Sequence, residues 1–206
     1  MKRFDSFTFN RHRCEEELAA FGELLSKKEH LREREDILPF FRKHTHLAAF
    51  IGSFNPNICT FDRVATEFNL FGDYACDLAV GDSITNNYCF VEFEDALPTS
   101  IFVKKKGKHT REWSPRFDHG FSQIIDWFMM LEDQRRTDLF RSRFDADRIQ
   151  YVGLLVIGRR NGLDGVDRDR LVARSEQVRI GIRQVHCVTF DDLHDALKLK
   201  LQVMAG

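Results

Sequence analysis

Two short segments near the middle of the sequence combine strand-forming residues with carboxylates. Residues 74–80 read YACDLAV, residues 88–94 read YCFVEFE, and a polar turn separates them. Aromatic and β-branched residues favour strands, and a short polar connection between two such segments favours an antiparallel hairpin. We therefore predict two adjacent strands near the centre of a sheet, which places their carboxylates at the centre of the fold.

The remaining periodic segments alternate between helices and strands. The predicted helices cover residues 11–25, 37–44, 117–131, 167–180 and 191–202, and two further buried strands cover residues 151–157 and 185–188. Ser26 and Glu29 have the S-x-x-E spacing that predicts the start of a helical stretch, and Asp36 is the predicted cap of helix 37–44. Thr189 or Asp191 caps the last helix. This order predicts an α/β fold, with helices on both faces of a mixed β-sheet.

Composition narrows the classes of protein to which the chain can belong. In a chain of 206 residues, 43% hydrophobic residues are enough for a sizeable core, and the five cysteines form no C-x-x-C pair. No apolar segment is long enough to cross a bilayer, so we expect a cytoplasmic protein with no membrane attachment. The glycine-rich phosphate-binding motifs are missing from the sequence. Because the net charge is −1, nucleic-acid binding requires a local basic patch.

The carboxylates of the predicted hairpin are candidate metal ligands. Glu92 and Glu94 are separated by one residue and therefore point to the same face of their strand, and Asp77 lies inside the neighbouring strand. Carboxylates so close together repel one another unless a cation compensates them, and Mg²⁺ or Mn²⁺ prefers oxygen ligands. Such an ion suits phosphodiester hydrolysis. The alternative interpretation is that both glutamates form only the solvent-exposed face of an edge strand.

Three sequence segments resemble a known family: CDLAVGD (residues 76–82), YCFVEFEDA (88–96) and WSPRFDHGFSQIIDW (113–127). Together they look like the Shedu nuclease domain, which belongs to the PD-(D/E)XK superfamily. The resemblance covers residues 35–201 and implies a restriction-endonuclease-like fold. It matches Asp77 to the first acidic residue, Glu92 to the (D/E) position and Gln123 to a downstream helical glutamine, and Glu35 to an early glutamate.

The resemblance implies a function and a domain organisation. The expected function is that of a Mg²⁺-dependent DNA endonuclease in bacterial antiphage defence, working as a homo-oligomer. The nuclease-like domain would cover residues 35–206, after an N-terminal helical extension at residues 1–34. RNA instead of DNA is a further possible substrate.

The sequence departs from the PD-(D/E)XK pattern at one position, because Glu94 stands where the motif has lysine. In an E-x-E site the second glutamate serves as a metal ligand or as a general base. The alternative is a catalytically inactive module that keeps the nuclease fold and binds nucleic acid or a partner protein.

A basic run follows the predicted hairpin, and it comprises Lys104, Lys105, Lys106, Lys108 and Arg111. Such a run suits contact with the phosphate backbone of DNA, and its alternative interpretation is an ordinary solvated loop. Gln123 is expected to orient water or a phosphate, and His119, one helical turn earlier, is a secondary candidate. Trp113 either stacks on a base or packs within the fold.

Overall fold

The computed structural model describes residues 4–204, which form a mixed sheet between two layers of helices. The strands are β1 (Asp5–Ser6), β2 (Arg63–Phe71), β3 (Tyr74–Asp82), β4 (Asn87–Phe93), β5 (Phe102–Val103), β6 (Glu112–Trp113), β7 (Gln150–Val156), β8 (Arg179–Ile180) and β9 (Arg183–Val188). The helices are α1 (Arg11–Lys27), α2 (Leu38–Lys43), α3 (Thr45–Phe50), α4 (Pro115–Asp133), α5 (Asp138–Phe144), α6 (Gly165–Gln177) and α7 (Phe190–Val203). A π-helical turn, Glu33–Ile37, precedes α2.

The strand order in the main sheet is β1-β2-β3-β4-β7-β9-β8. Strands β1 to β4 pair antiparallel, β4, β7 and β9 pair parallel, and β8 returns antiparallel to β9. Strands β5 and β6 form a separate two-stranded ribbon. The predicted hairpin is therefore confirmed, and β4 lies where the antiparallel half of the sheet meets the parallel half.

Each face of the sheet has its own apolar core. On one face, Cys89, Val91 and Phe93 of β4 pack with residues of α1, α3 and α7. On the other face, Tyr88 and Phe90 of the same strand pack with residues of α4, α5 and α6. The alternation follows from the strand period of two residues. The predicted α/β class, with helices on both faces of a mixed sheet, is confirmed.

Helix α1 belongs to the first of these cores. Its buried face carries Cys14, Leu18, Phe21 and Leu25, as the helical period predicts, and Asn10 caps the helix by accepting a hydrogen bond from the backbone of Arg13 at 3.0 Å.

The domain boundary near residue 35 stays a prediction. No helix among residues 4–204 has the length and apolar character needed to span a membrane.

The predicted helix starts between α1 and α2 are wrong. Ser26 lies inside α1, where its hydroxyl donates to the carbonyl of Glu23. Asp36 lies in the π-helical turn, and its carboxylate accepts from the backbone N–H of Arg32 at 2.9 Å and from Lys28 Nζ at 2.5 Å. The Asp36 carboxylate therefore binds residues that precede it in the chain and does not cap α2.

Candidate active site at the ends of the central strands

Asp77 and Glu92 face each other on neighbouring strands. The β3–β4 register pairs Leu78 with Val91, so the next position of each strand brings Asp77 opposite Glu92. The Asp77 Oδ2 atom accepts a hydrogen bond of 2.8 Å from the backbone N–H of Phe93. The hairpin therefore brings these two predicted site residues together, and the main chain of β4 holds the side chain of Asp77 in place.

A third carboxylate continues this row across the sheet. Glu67 lies in β2, where the pairing of Thr66 with Leu78 and of Phe68 with Cys76 brackets it beside Asp77. Glu67 has a positive φ of 49°, a left-handed conformation that is uncommon for residues other than glycine. Its carboxylate forms an ion pair of 2.8 Å with Arg42. Glu67 could not be predicted as a site residue from the sequence, because a single glutamate in an alternating strand carries no local signal.

These carboxylates line a polar cavity of about 790 Å³. The side chains of Asp77, Glu92, Glu94 and Gln123 all contribute to its wall, so the predicted catalytic residues share one cavity. The remaining lining residues are Glu33, Arg34, Glu67, Ala75, Cys76, Thr99, Val103, Ser114, Pro115, Arg116 and His119.

Burial raises the pKa of the two central carboxyl groups. The pKa of Glu92 rises from 4.5 to about 10, first because of burial and then because of the nearby charges of Asp77 and Glu94. The pKa of Asp77 rises from 3.8 to about 7, again first because of burial, although the hydrogen bond from Phe93 opposes the rise. Both groups therefore lack a compensating positive charge.

Helix α4 closes the cavity on one side. Ser114 caps the helix by accepting from the backbone N–H of Phe117 at 3.0 Å, and Pro115 occupies the first turn. At Gly120 an added Cβ would lie 2.8 Å from Leu155 Cδ1 and 3.2 Å from Glu94 Cγ. Glycine at this position therefore allows the helix to approach the end of β4 closely.

Gln123 of α4 lies beside Glu92. Its side-chain amide donates a hydrogen bond to Glu92, which partly offsets the rise in the Glu92 pKa. Its Oε1 atom is buried and has no hydrogen-bond partner in the structure. A buried carbonyl oxygen without a donor is costly, so this atom marks a place for a ligand or a water molecule. His119 lines the same cavity one turn earlier.

Glu94 forms an ion pair inside the cavity. It follows the last residue of β4, it is buried, and its Oε2 atom lies 2.6 Å from Arg116 Nη1. Burial raises the pKa of Glu94, whereas the hydrogen bond and charge of Arg116 lower it. The sequence analysis missed Arg116, although Arg116, His119 and Gln123 recur at the spacing of one helical face.

Glu33 also lines the cavity, whereas Glu35 is exposed and lies outside it. The backbone N–H of Glu33 donates to the Oδ1 atom of Asp95 at 2.8 Å, and a bridge between Leu31 and Ala96 holds the preceding segment beside the end of β4. The structure therefore brings Glu33 into the cavity, and the match of Glu35 to an early glutamate of the family stays a prediction.

The basic run forms a loop between β5 and β6, and several of its charges are paired. Lys105 and Lys108 both form ion pairs with Glu112. Arg111 binds Asp167 and donates to the carbonyl oxygen of Gly162 at 2.8 Å. Lys104 and Lys106 are exposed. Trp113, after the loop, is tilted against Phe102 and stacked on Phe117, with ring centroids 4.3 Å apart in each case, and so packs within the fold.

The donor set of Asp77 and Glu92 fits a hard divalent cation. Mg²⁺ is typically bound through one or two carboxylates together with waters and substrate phosphates, so two protein ligands are enough. Within residues 4–204, no group of three or more His, Cys, Asp or Glu side chains is arranged to hold a metal ion. The third predicted ligand, Glu94, is instead bound to Arg116.

A mixed sheet that holds Asp77 and Glu92 side by side on adjacent central strands, facing a polar cavity, is consistent with a nuclease-like domain of the PD-(D/E)XK class. The sequence model of the family described as Shedu protein SduA, C-terminal, matches residues 30–194. This match covers more than half of the chain, so the chain belongs to that family, whose members are antiphage defence nuclease-like domains. A search of curated proteins gives no match.

Proposed function

We propose that this protein is a metal-dependent DNA endonuclease that hydrolyses phosphodiester bonds in antiphage defence. In this proposal Asp77 and Glu92 bind Mg²⁺ or Mn²⁺, and Glu94 is a further ligand or the general base. The proposed role as an antiphage defence nuclease rests on membership of the Shedu family. The chemistry rests on the residues of the cavity.

The observation that carries the proposal is the uncompensated pair of Asp77 and Glu92. Burial holds the pKa of Glu92 near 10 and that of Asp77 near 7. Burying two adjacent carboxyl groups costs free energy, and groups with such perturbed pKa values cluster at functional sites. A divalent cation between them would stabilise the ionised carboxylates and so offset the effect of burial on their pKa values.

Four side chains of the cavity have separate roles in the proposed reaction. When bound, the divalent cation polarises the phosphate and lowers the pKa of a bound water. Asp77 is held in place by the Phe93 N–H, so its second oxygen is presented in a fixed direction. Gln123 holds the carboxyl group of Glu92 through its amide N–H, and its unpartnered Oε1 atom accepts a hydrogen bond from water. Glu94 accepts the proton of that water if it serves as the general base.

Duplex DNA is the proposed substrate, bound near the basic loop. Val103, the last residue of β5, lines the cavity, so the loop begins at the rim of the site. Lys104 and Lys106 are exposed there and suit contact with the phosphate backbone. The charges of Lys105, Lys108 and Arg111 are engaged by Glu112 and Asp167 and would contribute less. We further propose that the protein acts in the cytoplasm as a homo-oligomer.

The test is cleavage of supercoiled plasmid with Mg²⁺, Mn²⁺ or EDTA. Asp77→Asn and Glu92→Gln preserve shape and hydrogen-bond acceptors while removing the charge, and each is expected to lower cleavage by at least about a hundredfold. Asp169→Asn, a matched change at an exposed residue of α6, should cleave like the wild type. Cleavage that persists in EDTA or in both site variants would exclude the proposed mechanism. Cleavage of single-stranded RNA but not of plasmid would reassign the substrate.

The ion pair between Glu94 and Arg116 favours a second candidate function. A site whose third carboxylate already has an arginine partner suits a catalytically inactive module that keeps the fold and binds nucleic acid or a partner protein. Metal dependence separates the two candidates. The inactive module would bind duplex DNA equally well in Mg²⁺ and EDTA, would leave plasmid intact, and would not respond to Glu92→Gln.

A further inference from the structure

The cavity contains more carboxyl groups than cationic side chains. Glu33, Glu67, Asp77, Glu92 and Glu94 all line it, against the cationic side chains of two arginines. A phosphodiester is itself an anion, so it approaches this wall only where a cation compensates it. The position of each arginine therefore decides where a phosphate can bind.

Arg116 is the arginine whose contacts place it among these carboxylates. Its Nη1 atom lies 2.6 Å from Glu94 Oε2, and its Nη2 atom lies 3.4 Å from Asp95 Oδ2. The side chain nevertheless remains 41% exposed and forms part of the cavity wall. A guanidinium group carries more N–H donors than these two contacts engage, so Arg116 can bind an additional anion without leaving Glu94.

Asp95 holds this arginine in place. Its side chain is only 7% exposed, and its Oδ2 atom also accepts from Arg32 Nη1 at 3.1 Å. Its Oδ1 atom accepts from the backbone N–H of Glu33. Because a buried carboxylate with several donors is rigid, the guanidinium group of Arg116 is preorganised and loses little side-chain entropy on binding a ligand.

We propose that Arg116, held by its ion pairs with Glu94 and Asp95, is the phosphate-binding residue of this cavity. The ligand is a phosphate of a nucleic-acid backbone, bound by the N–H donors of Arg116 that point away from Glu94 and Asp95. This assignment deepens the proposed nuclease function and rests on it for the identity of the substrate. Phosphate contact by arginine is strong because the hydrogen bonds are charge-assisted.

The test measures the affinity for a short fluorescein-labelled DNA duplex over a series of KCl concentrations, with Ca²⁺ and again with EDTA. With Ca²⁺, Arg116→Gln should weaken binding about tenfold and reduce the slope of log affinity against log salt by about one. Arg116→Lys keeps the charge and should keep the slope, with a smaller loss of affinity. A residue with only a structural role would not change the slope in this way.

The matched control is Arg148→Gln, which removes the same charge from an exposed residue just before β7. That end of β7 pairs with the start of β4, at the opposite end of the strand from Glu92. Arg148→Gln should keep the wild-type affinity and slope. Because Arg116→Gln leaves Glu94 without a partner, the double variant Glu94→Gln/Arg116→Gln provides a folded alternative that should show the same reduced slope.

The outcomes separate the two proposals. If the wild type cleaves plasmid but Arg116→Gln and the double variant keep its affinity and salt slope, the assignment of Arg116 is overturned and the nuclease stands. If the wild type fails to cleave but Arg116→Gln still loses affinity and slope, the nuclease fails and the phosphate contact stands. A wild-type protein that binds no duplex in either condition overturns both.

Discussion

The carboxylate of Asp77 accepts a hydrogen bond from the backbone N–H of Phe93, across the gap between β3 and β4. The last main-chain pair of these strands is Leu78 with Val91, so this side chain continues the contact where the ladder ends. Asp77 therefore has two roles that oppose each other. As a hydrogen-bond acceptor, its carboxyl group stabilises the end of the hairpin. As a buried negative charge, the same group destabilises the folded protein.

Substitutions at Asp77 should separate these two roles. Asp77→Asn keeps an acceptor for the Phe93 N–H and removes the charge, so at about pH 8 the metal-free variant should be at least as stable as the wild type. Asp77→Ala leaves the buried N–H without an acceptor and should be about 1–3 kcal/mol less stable than Asp77→Asn. Urea unfolding in EDTA measures both differences. Equal stability of the two variants would mean that the hydrogen bond contributes nothing.

The stability of the metal-free protein should fall as the pH rises through neutrality. The folded-state pKa is about 7 for Asp77 and about 10 for Glu92, against ordinary values of 3.8 and 4.5. Between these values the folded protein retains protons that the unfolded chain has released, so the contribution of these two groups to stability is fully present below their ordinary pKa values and is lost as the pH rises towards their folded-state pKa values. Glu92→Gln should flatten this dependence, as measured by urea unfolding in EDTA from about pH 5 to pH 8. An unchanged slope in Glu92→Gln, equal to that of Asp169→Asn, would contradict the raised pKa.

Divalent cations should stabilise the folded protein through the same two carboxylates. At a concentration a hundredfold above its dissociation constant, Mn²⁺ would contribute about 2.7 kcal/mol and raise the melting temperature by about 5–10 °C. Because Glu92 holds a proton near neutral pH, binding releases protons and should strengthen as the pH rises. Thermal unfolding with Mn²⁺, with KCl at equal ionic strength as the control, measures this shift. An equal shift in Glu92→Gln would show that the ion binds elsewhere.

The strand pattern predicts the centre of the candidate site because the determining contacts are local. Glu92 and Glu94 share a face through the strand period, and a hairpin necessarily brings Asp77 beside them. The position of Gln123 can be predicted because the apolar residues of α4 lie along one face and leave its polar residues on another. These residues lie within elements whose type and direction the sequence determines.

Residues brought in by long-range contacts could not be predicted in this way. Glu33 reaches the cavity because the Leu31–Ala96 bridge and the Asp95 carboxylate hold its segment, and neither contact has a local pattern. The capping role predicted for Asp36 fails for another reason, because its carboxylate binds Lys28 and the backbone N–H of Arg32, which lie nearby in the sequence. Capping is worth only about 1 kcal/mol, so an ion pair and a hydrogen bond to such neighbours readily override it.

Arg159 offers a test of whether α1 and the nuclease-like domain fold together. Its guanidinium group donates to the carbonyl oxygens of Leu25 at 3.0 Å and Lys28 at 2.8 Å, at the end of α1, and pairs with Asp191 at the start of α7. The side chain is 10% exposed. Arg159→Gln leaves these carbonyl oxygens and a partly buried carboxylate without donors and should cost about 3 kcal/mol.

The measurement is urea unfolding followed by two probes, the tryptophan fluorescence of the α4 side of the sheet and the far-ultraviolet circular dichroism of all helices. Because α1 shares a core with α3 and α7, both probes should shift together to lower urea in Arg159→Gln, and Arg148→Gln should match the wild type. A separate early transition in circular dichroism alone would instead show that α1 unfolds independently. The segment before residue 35 would then be an extension attached to the domain, rather than a part of its cooperative core.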